Sequence, residues 1–128
     1  MKELDSFLHK IEKLIEENAQ YKYEAYSFVL AALHYASSSL KKPRHITGRE
    51  LLEGIRKYSL DQFGPLAKTV LNYWGIHETA DFGKIVFGLV DAGVLRKQPE
   101  DKIEDFENVY SFDEAFHQDF EIEDDPST

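Results

Sequence analysis

Apolar residues recur at helical spacing along most of the chain, which predicts a mainly α-helical fold. Over residues 3–17 they follow the i, i+3, i+4 pattern of an amphipathic helix, with charged residues on the opposite face. Residues 22–40 predict a second helix, and the stretch from Ala25 to Leu40 carries no formal charge. A helix of this apolar character is typical of the centre of a bundle, so we expect the second helix to lie there.

A third helix begins at Thr47, where two independent start signals coincide. Thr47 and Glu50 have the spacing of a capping box, in which each side chain pairs with a backbone N–H at the other position. Ile46 and Leu51 flank this pair at the positions of a hydrophobic staple. The pattern predicts a helix that runs to Leu60 or Phe63.

The second half of the chain predicts shorter elements. Gly64-Pro65 separates the third helix from a short helix that ends near Trp74, and a further helix is predicted over residues 79–92. Val94-Leu95 and residues 103–110 predict a small β-hairpin. Phe112, Phe116 and Phe120 recur every four residues and predict a last helix.

This order of elements favours a single domain of about six helices over residues 1–120. Residues 47–110 follow the order of a winged helix-turn-helix, namely three helices and then a hairpin. A plain α-helical bundle is the alternative, because it has similar sequence signals. Residues 121–128 form an acidic tail that we expect to be disordered.

Composition excludes several classes of protein. Of the 128 residues, 42% are hydrophobic, which is enough for a core and excludes a fully disordered chain. The absence of cysteine excludes disulfides, a cysteine nucleophile and thiolate metal sites. The N-terminus lacks the apolar run of a secretory signal, and the longest uncharged stretch is too short to cross a membrane. We therefore expect a soluble, cytoplasmic protein.

Charge is unevenly distributed along the chain. Residues 1–98 carry 14 Lys and Arg against 12 Asp and Glu, whereas residues 99–128 carry one Lys against 12 acids. The net charge of −9 therefore resides in the C-terminal quarter, and it argues against non-specific binding to nucleic acid.

A local group of cations nevertheless surrounds the start of the third helix. We call residues 41–49 the basic loop; its candidate contact residues for an anion or a nucleic acid are Lys41, Lys42, Arg44, His45 and Arg49. A helix N-terminus favours anions, and the cations add to this preference. The alternative interpretation is that these charges are solvated, or that they pair with the acidic segment of the same chain.

The helix predicted over residues 79–92 would be the recognition helix of a winged-helix protein, yet its polar face lacks Arg, Asn and Gln. It offers instead a candidate protein-contact face with an aromatic residue between two glycines. We label this predicted fifth helix, residues 79–92, α5, and its α5 face consists of Gly83, Lys84, Phe87 and Gly88. The alternative is that Phe87 lies under the acidic C-terminal helix of its own chain.

The sequence contains no motif that indicates catalysis or a cofactor. Residues 77–81, HETAD, resemble half of a zinc-protease motif, but Asp81 stands where the second histidine would be. We therefore interpret the segment as an acidic helix start and predict no metal site and no catalytic residue. A deep pocket that contained His34 or His45 with a carboxylate would favour an enzyme.

Several ordered motifs resemble an uncharacterised bacterial family found largely in planctomycete and verrucomicrobial genomes. The motifs are HITGRELLEGIR at residues 45–56, FGPLAKTVL at 63–71, WGI at 74–76, TADFG at 79–83 and FDEAF at 112–116. The resemblance covers about residues 23–120 and implies an intact domain in a bacterial cytoplasm. It implies no activity, ligand or site residue.

Three functions follow from these observations. The leading interpretation is a non-enzymatic interaction module that contacts another protein, or a second copy of itself, through the α5 face or the basic loop. The alternative is a winged-helix regulator that binds nucleic acid through the basic loop. The third is a small enzyme of unrecognised type.

Overall fold

The computed structural model describes residues 2–98 and 101–116, with the side chains described from Asp5 onward. This part of the chain is mainly helical, as predicted. The α-helices are α1 (Lys2–Glu17), α2 (Tyr23–Ser38), α3 (Gly48–Phe63), α4 (Ala67–Tyr73), α5 (Thr79–Asp91) and α6 (Phe112–Ala115). Two 3₁₀ turns, Gly64–Leu66 and Ile103–Phe106, precede α4 and follow α5.

Helix α2 occupies the centre of the structure and packs against α1, α3 and α5, which confirms its predicted position. Its most extensive contact is with α3. A Cβ atom placed on Gly54 would lie 2.8 Å from the Cβ atom of Ala36, so two small residues allow the helices to cross at short range. The two helices thereby form a tight apolar junction in the core.

The start of α3 is the one that the sequence predicts. Thr47 Oγ1 accepts a hydrogen bond from the Glu50 backbone N–H at 3.1 Å, and Glu50 Oε1 accepts one from the Thr47 N–H at 3.0 Å. Ile46 and Leu51, the residues at the staple positions, are buried. This cap fixes the direction in which the basic loop enters the helix.

The predicted β-hairpin is wrong, because its residues satisfy their backbone groups locally. The N–H groups of Val94 and Leu95 both donate to the carbonyl of Leu89, at 2.9 and 3.2 Å, and so extend the end of α5. Residues 103–106 form a 3₁₀ turn instead of a strand. No strand occurs between residues 2 and 98 or 101 and 116, so the winged-helix arrangement is not supported.

The predicted C-terminal helix is present as the single turn α6, and its Phe112 and Phe116 are buried. Phe120 and the predicted tail at 121–128 lie outside the described residues. In the part of the chain that is described, no helix combines the length and the apolar character needed to cross a bilayer.

Candidate functional site

Arg44, one of the predicted anion contacts, is held by an acid of the same chain. Its Nη1 and Nη2 atoms donate to the two carboxylate oxygens of Glu50 at 2.9 and 2.8 Å. These hydrogen bonds, together with the one from the Thr47 backbone, lower the pKa of Glu50 to about 2. Glu50 thus serves the helix cap and Arg44 at once, and much of the positive charge of Arg44 is neutralised.

Two further residues of the basic loop contact residues 101–106, which we call the covering segment. His45 Nε2 lies 2.9 Å from Asp101 Oδ1, and Arg49 Nε donates to the backbone carbonyl of Asp105 at 3.1 Å. These contacts fit the interpretation that the acidic segment pairs with the basic loop. Lys41 and Lys42 are exposed and form no ion pair with a described residue.

The covering segment also occupies the α5 face. A Cβ atom on Gly83 would lie 2.8 Å from the Cβ atom of Phe106. The rings of Phe87 and Phe106 pack edge to face, with 6.4 Å between their centroids. A Cβ atom on Gly88 would lie 3.5 Å from Leu14 of α1, and Lys84 is exposed. These four residues therefore do not form one open surface.

A small pocket lies where the two predicted sites meet, because both His45 and Phe87 line it. It has a volume of about 100 Å³. Its walls are mostly apolar and come from the α3 start, α5, the residues after α5 and the covering segment. They include Ile46, Leu51, Phe87, Val90, Leu95 and Phe106. We refer to this cavity as the apolar pocket.

Three charged or titratable residues complete the lining of the apolar pocket, namely His45, Arg96 and Asp101. Both oxygens of Asp101 are engaged, since Oδ1 pairs with His45 and Oδ2 accepts from the Gln98 N–H at 3.3 Å. Arg96 is exposed and pairs with no acid among the described residues. A cavity with apolar walls and a few polar groups is the usual form of a recognition site.

Sequence analysis identified two residues of this pocket but missed the contribution of Arg96, Asp101 and Phe106. Val86 and Val90 of α5 are half-buried and also line the pocket. The available signal was Gly83: a glycine in a helix can indicate close approach by another segment.

A wider, more polar cleft of about 500 Å³ lies between the α4–α5 loop and residues 108–114. Lys68 pairs with Asp113 across it and lowers the pKa of that carboxyl. His77 Nδ1 lies 3.2 Å from Asn72 Oδ1. Within the described residues no group of three or more potential ligands is arranged to hold a metal ion.

The acidic helix start at residues 77–81 is structural, as interpreted from the sequence. Asp81 is only 3% exposed and accepts hydrogen bonds from two backbone N–H groups, those of His77 (2.8 Å) and Glu78 (3.1 Å). Its other oxygen accepts from Tyr21 Oη at 2.6 Å and Gln20 Nε2 at 3.0 Å. Asp81 thus joins the α1–α2 loop to the start of α5.

Comparison with protein families, with curated proteins and with solved structures gave no match to this chain. The bacterial family resemblance stays a prediction.

Proposed function

We propose that this chain is a binding module that recognises a partner protein by accepting one apolar side chain in the apolar pocket. The observation that carries the proposal is the pocket itself, whose walls combine His45 of the basic loop with Phe87 of α5. The basic loop and the α5 face, which the sequence predicts as contact regions, thus both contribute to one cavity.

The size of the pocket supports a side chain as its occupant. Small-molecule sites usually enclose about 300–1,000 Å³, whereas this pocket encloses about 100 Å³. That volume matches the branched end of one leucine or a similar group. Protein interfaces commonly gain most of their binding energy from a few such anchors that fill desolvated pockets.

The test is a selection of displayed peptides on the immobilised full chain, compared with a variant in which the pocket is filled. Val90→Phe places a ring in the cavity, and Val70→Phe makes the same change at a half-buried valine of α4 outside it. Peptides with an apolar anchor should bind the wild type and Val70→Phe, and lose at least tenfold in affinity for Val90→Phe. Equal binding to all three proteins, or no enriched peptide, would reject the proposal.

A second candidate function is general-base catalysis by His45, which the nearby carboxylate of Asp101 favours at 2.9 Å. In such a reaction His45 would take a proton from a water molecule that attacks an ester carbonyl, and the alcohol would leave. The described lining of the pocket contains no hydroxyl or amine nucleophile, so water would have to be the nucleophile in this reaction. Equal rates of p-nitrophenyl acetate hydrolysis by the wild type and His45→Gln would remove this candidate.

A further inference from the structure

The polar lining of the apolar pocket has an uneven balance of charge. Asp101 is the acid of this lining, and both of its oxygens already accept hydrogen bonds within the chain. Arg96 has no such partner among the described residues, and the next residue, Lys97, is exposed as well. Arg96 therefore lines the cavity beside apolar walls and has no acidic partner among the described residues, although the chain as a whole is acidic.

A guanidinium group binds a carboxylate, as it binds a phosphate group, through two parallel hydrogen bonds. The net charge of −9 favours the less negative of these two ligands, the carboxylate. The carboxylate has to lie close to the apolar group, because Arg96 and the apolar walls line the same small cavity. The recognised group therefore combines a short apolar chain with a carboxylate only a few bonds away.

Chain geometry selects one source of that carboxylate within a partner protein. In an extended segment, neighbouring side chains point to opposite faces, so an Asp or Glu next to the anchor would point away from the pocket. The α-carboxylate of a C-terminal residue, in contrast, is attached to the same Cα atom as the anchoring side chain.

We infer that the apolar pocket binds the C-terminal residue of a partner chain, with its apolar side chain in the cavity and its α-carboxylate on Arg96. This inference rests on the proposed function and specifies its ligand. It assigns to Arg96 the recognition of the terminus, a role separate from that of the apolar walls.

The test is an NMR titration of the full-length, ¹⁵N-labelled chain with N-acetyl-L-leucine and with N-acetyl-L-leucinamide, which lacks the negative charge. We expect shifts at the amides of the pocket residues and about tenfold tighter binding of the acid, since one hydrogen-bonded charge is worth about that factor. Arg96→Gln should reduce the preference for the acid over the amide to about onefold, chiefly by weakening the binding of the acid. Lys97→Gln is the matched control and should retain the preference.

A pair of short peptides distinguishes the two sources of the carboxylate. One ends in a free leucine carboxylate, and the other ends in a leucine amide preceded by Asp. The first should bind more tightly, and Arg96→Gln should remove the difference. Stronger binding of the second peptide would overturn the assignment to a C-terminus.

The remaining outcomes separate this inference from the proposed function. Equal binding of acid and amide, with both lost in Val90→Phe, would overturn the role of Arg96 and leave the apolar anchor intact. If neither compound binds while displayed peptides bind through internal residues, the inference that the pocket binds a C-terminal residue would also be overturned. Failure of the compounds and of the peptide selection alike would reject both proposals. Unchanged spectra away from the pocket would confirm that each variant is folded.

Discussion

Asp81 illustrates how one residue can organise two distant parts of this chain. Its side chain is buried, and its two oxygens accept four hydrogen bonds from the α1–α2 loop and the start of α5. A buried carboxylate is tolerated only when it is fully hydrogen-bonded, so this network is required for the packing of the two loops.

Replacement of this carboxylate should be strongly destabilising. Asp81→Asn introduces an NH₂ group among four donors, and we expect the free energy of unfolding to fall by about 2–4 kcal/mol. Urea denaturation measures the change, and Asp91→Asn at an exposed position of α5 serves as the control. A loss as small as that of the control would contradict the structural role of Asp81.

Tyr21 should make the stability depend on alkaline pH. The pKa of Tyr21 is raised in the folded state, mainly by burial and secondly by the hydrogen bond to Asp81. The stabilisation is complete below the unfolded tyrosine pKa of about 10 and is lost as the pH rises above it. The Tyr21→Phe variant should therefore lose less stability than the wild type between neutral and alkaline pH. Denaturation of both proteins across this pH range measures the difference. Parallel curves for the two proteins would contradict the prediction.

We expect the buried hydroxyl of Ser59 to weaken the fold. It is buried on α3, and its Oγ atom has no hydrogen-bond partner among the described residues. Ser59→Ala removes the desolvation cost and improves helix propensity, so we expect about 1 kcal/mol more stability and a Tm about 4 °C higher. Thermal denaturation measures this, with Ser37→Ala as the exposed control. A lower Tm would indicate that the hydroxyl has a partner in solution.

At the scale of elements, the junction of α2 and α3 depends on two small residues. Alanine has the higher helix propensity, by about 1 kcal/mol relative to glycine. A methyl group on Gly54 would nevertheless lie 2.8 Å from the Ala36 Cβ atom and force the helices apart. The packing effect should exceed the propensity effect, because overpacking typically costs about 1–3 kcal/mol.

This junction can be tested by a double-mutant cycle. Gly54→Ala should reduce the free energy of unfolding by about 1 kcal/mol, and Ala36→Gly should also be destabilising. The double variant should be more stable than the sum of the two effects by about 1–2 kcal/mol, since the second change makes room for the first. Chemical denaturation of the four proteins gives the coupling; strict additivity would show that the residues do not interact.

Whether an element could be predicted from the sequence depends on how local its sequence signal is. The cap at Thr47 and the periodic apolar residues of α2 are local patterns, and both predicted their helices. The hairpin failed because the Leu89 carbonyl accepts from Val94 and Leu95, an arrangement that strand propensity does not encode. The apolar pocket was only half predicted, since it needs Phe106 to pack on Gly83 more than 20 positions earlier.

At the scale of the whole molecule, the acidic C-terminal quarter offsets the basic loop through specific contacts. Arg44, His45 and Arg49 all contact acidic residues or their backbone, and the last two do so on the covering segment. The net charge of −9 adds a long-range repulsion toward phosphate groups. Both effects act against the nucleic-acid alternative.

The full chain should therefore fail to bind DNA. Fluorescence anisotropy with a mixed-sequence duplex and a single strand at low ionic strength should show no saturable binding at micromolar protein concentrations. Glu50→Gln, which releases Arg44, tests whether pairing within the chain suppresses binding. Salt-sensitive binding by the wild type, lost in Lys42→Glu, would instead favour a nucleic-acid function.

The position of Phe106 determines where this chain can be shortened. The end of α5 is a natural place to draw a boundary, but the segment that covers Gly83 and Phe87 lies beyond it. A fragment that stops before residue 101 would leave a strip of α5 and the wall of the apolar pocket facing water. Such a strip is a surface for self-association, so the fragment should aggregate on expression, whereas a fragment that retains α6 should remain monodisperse.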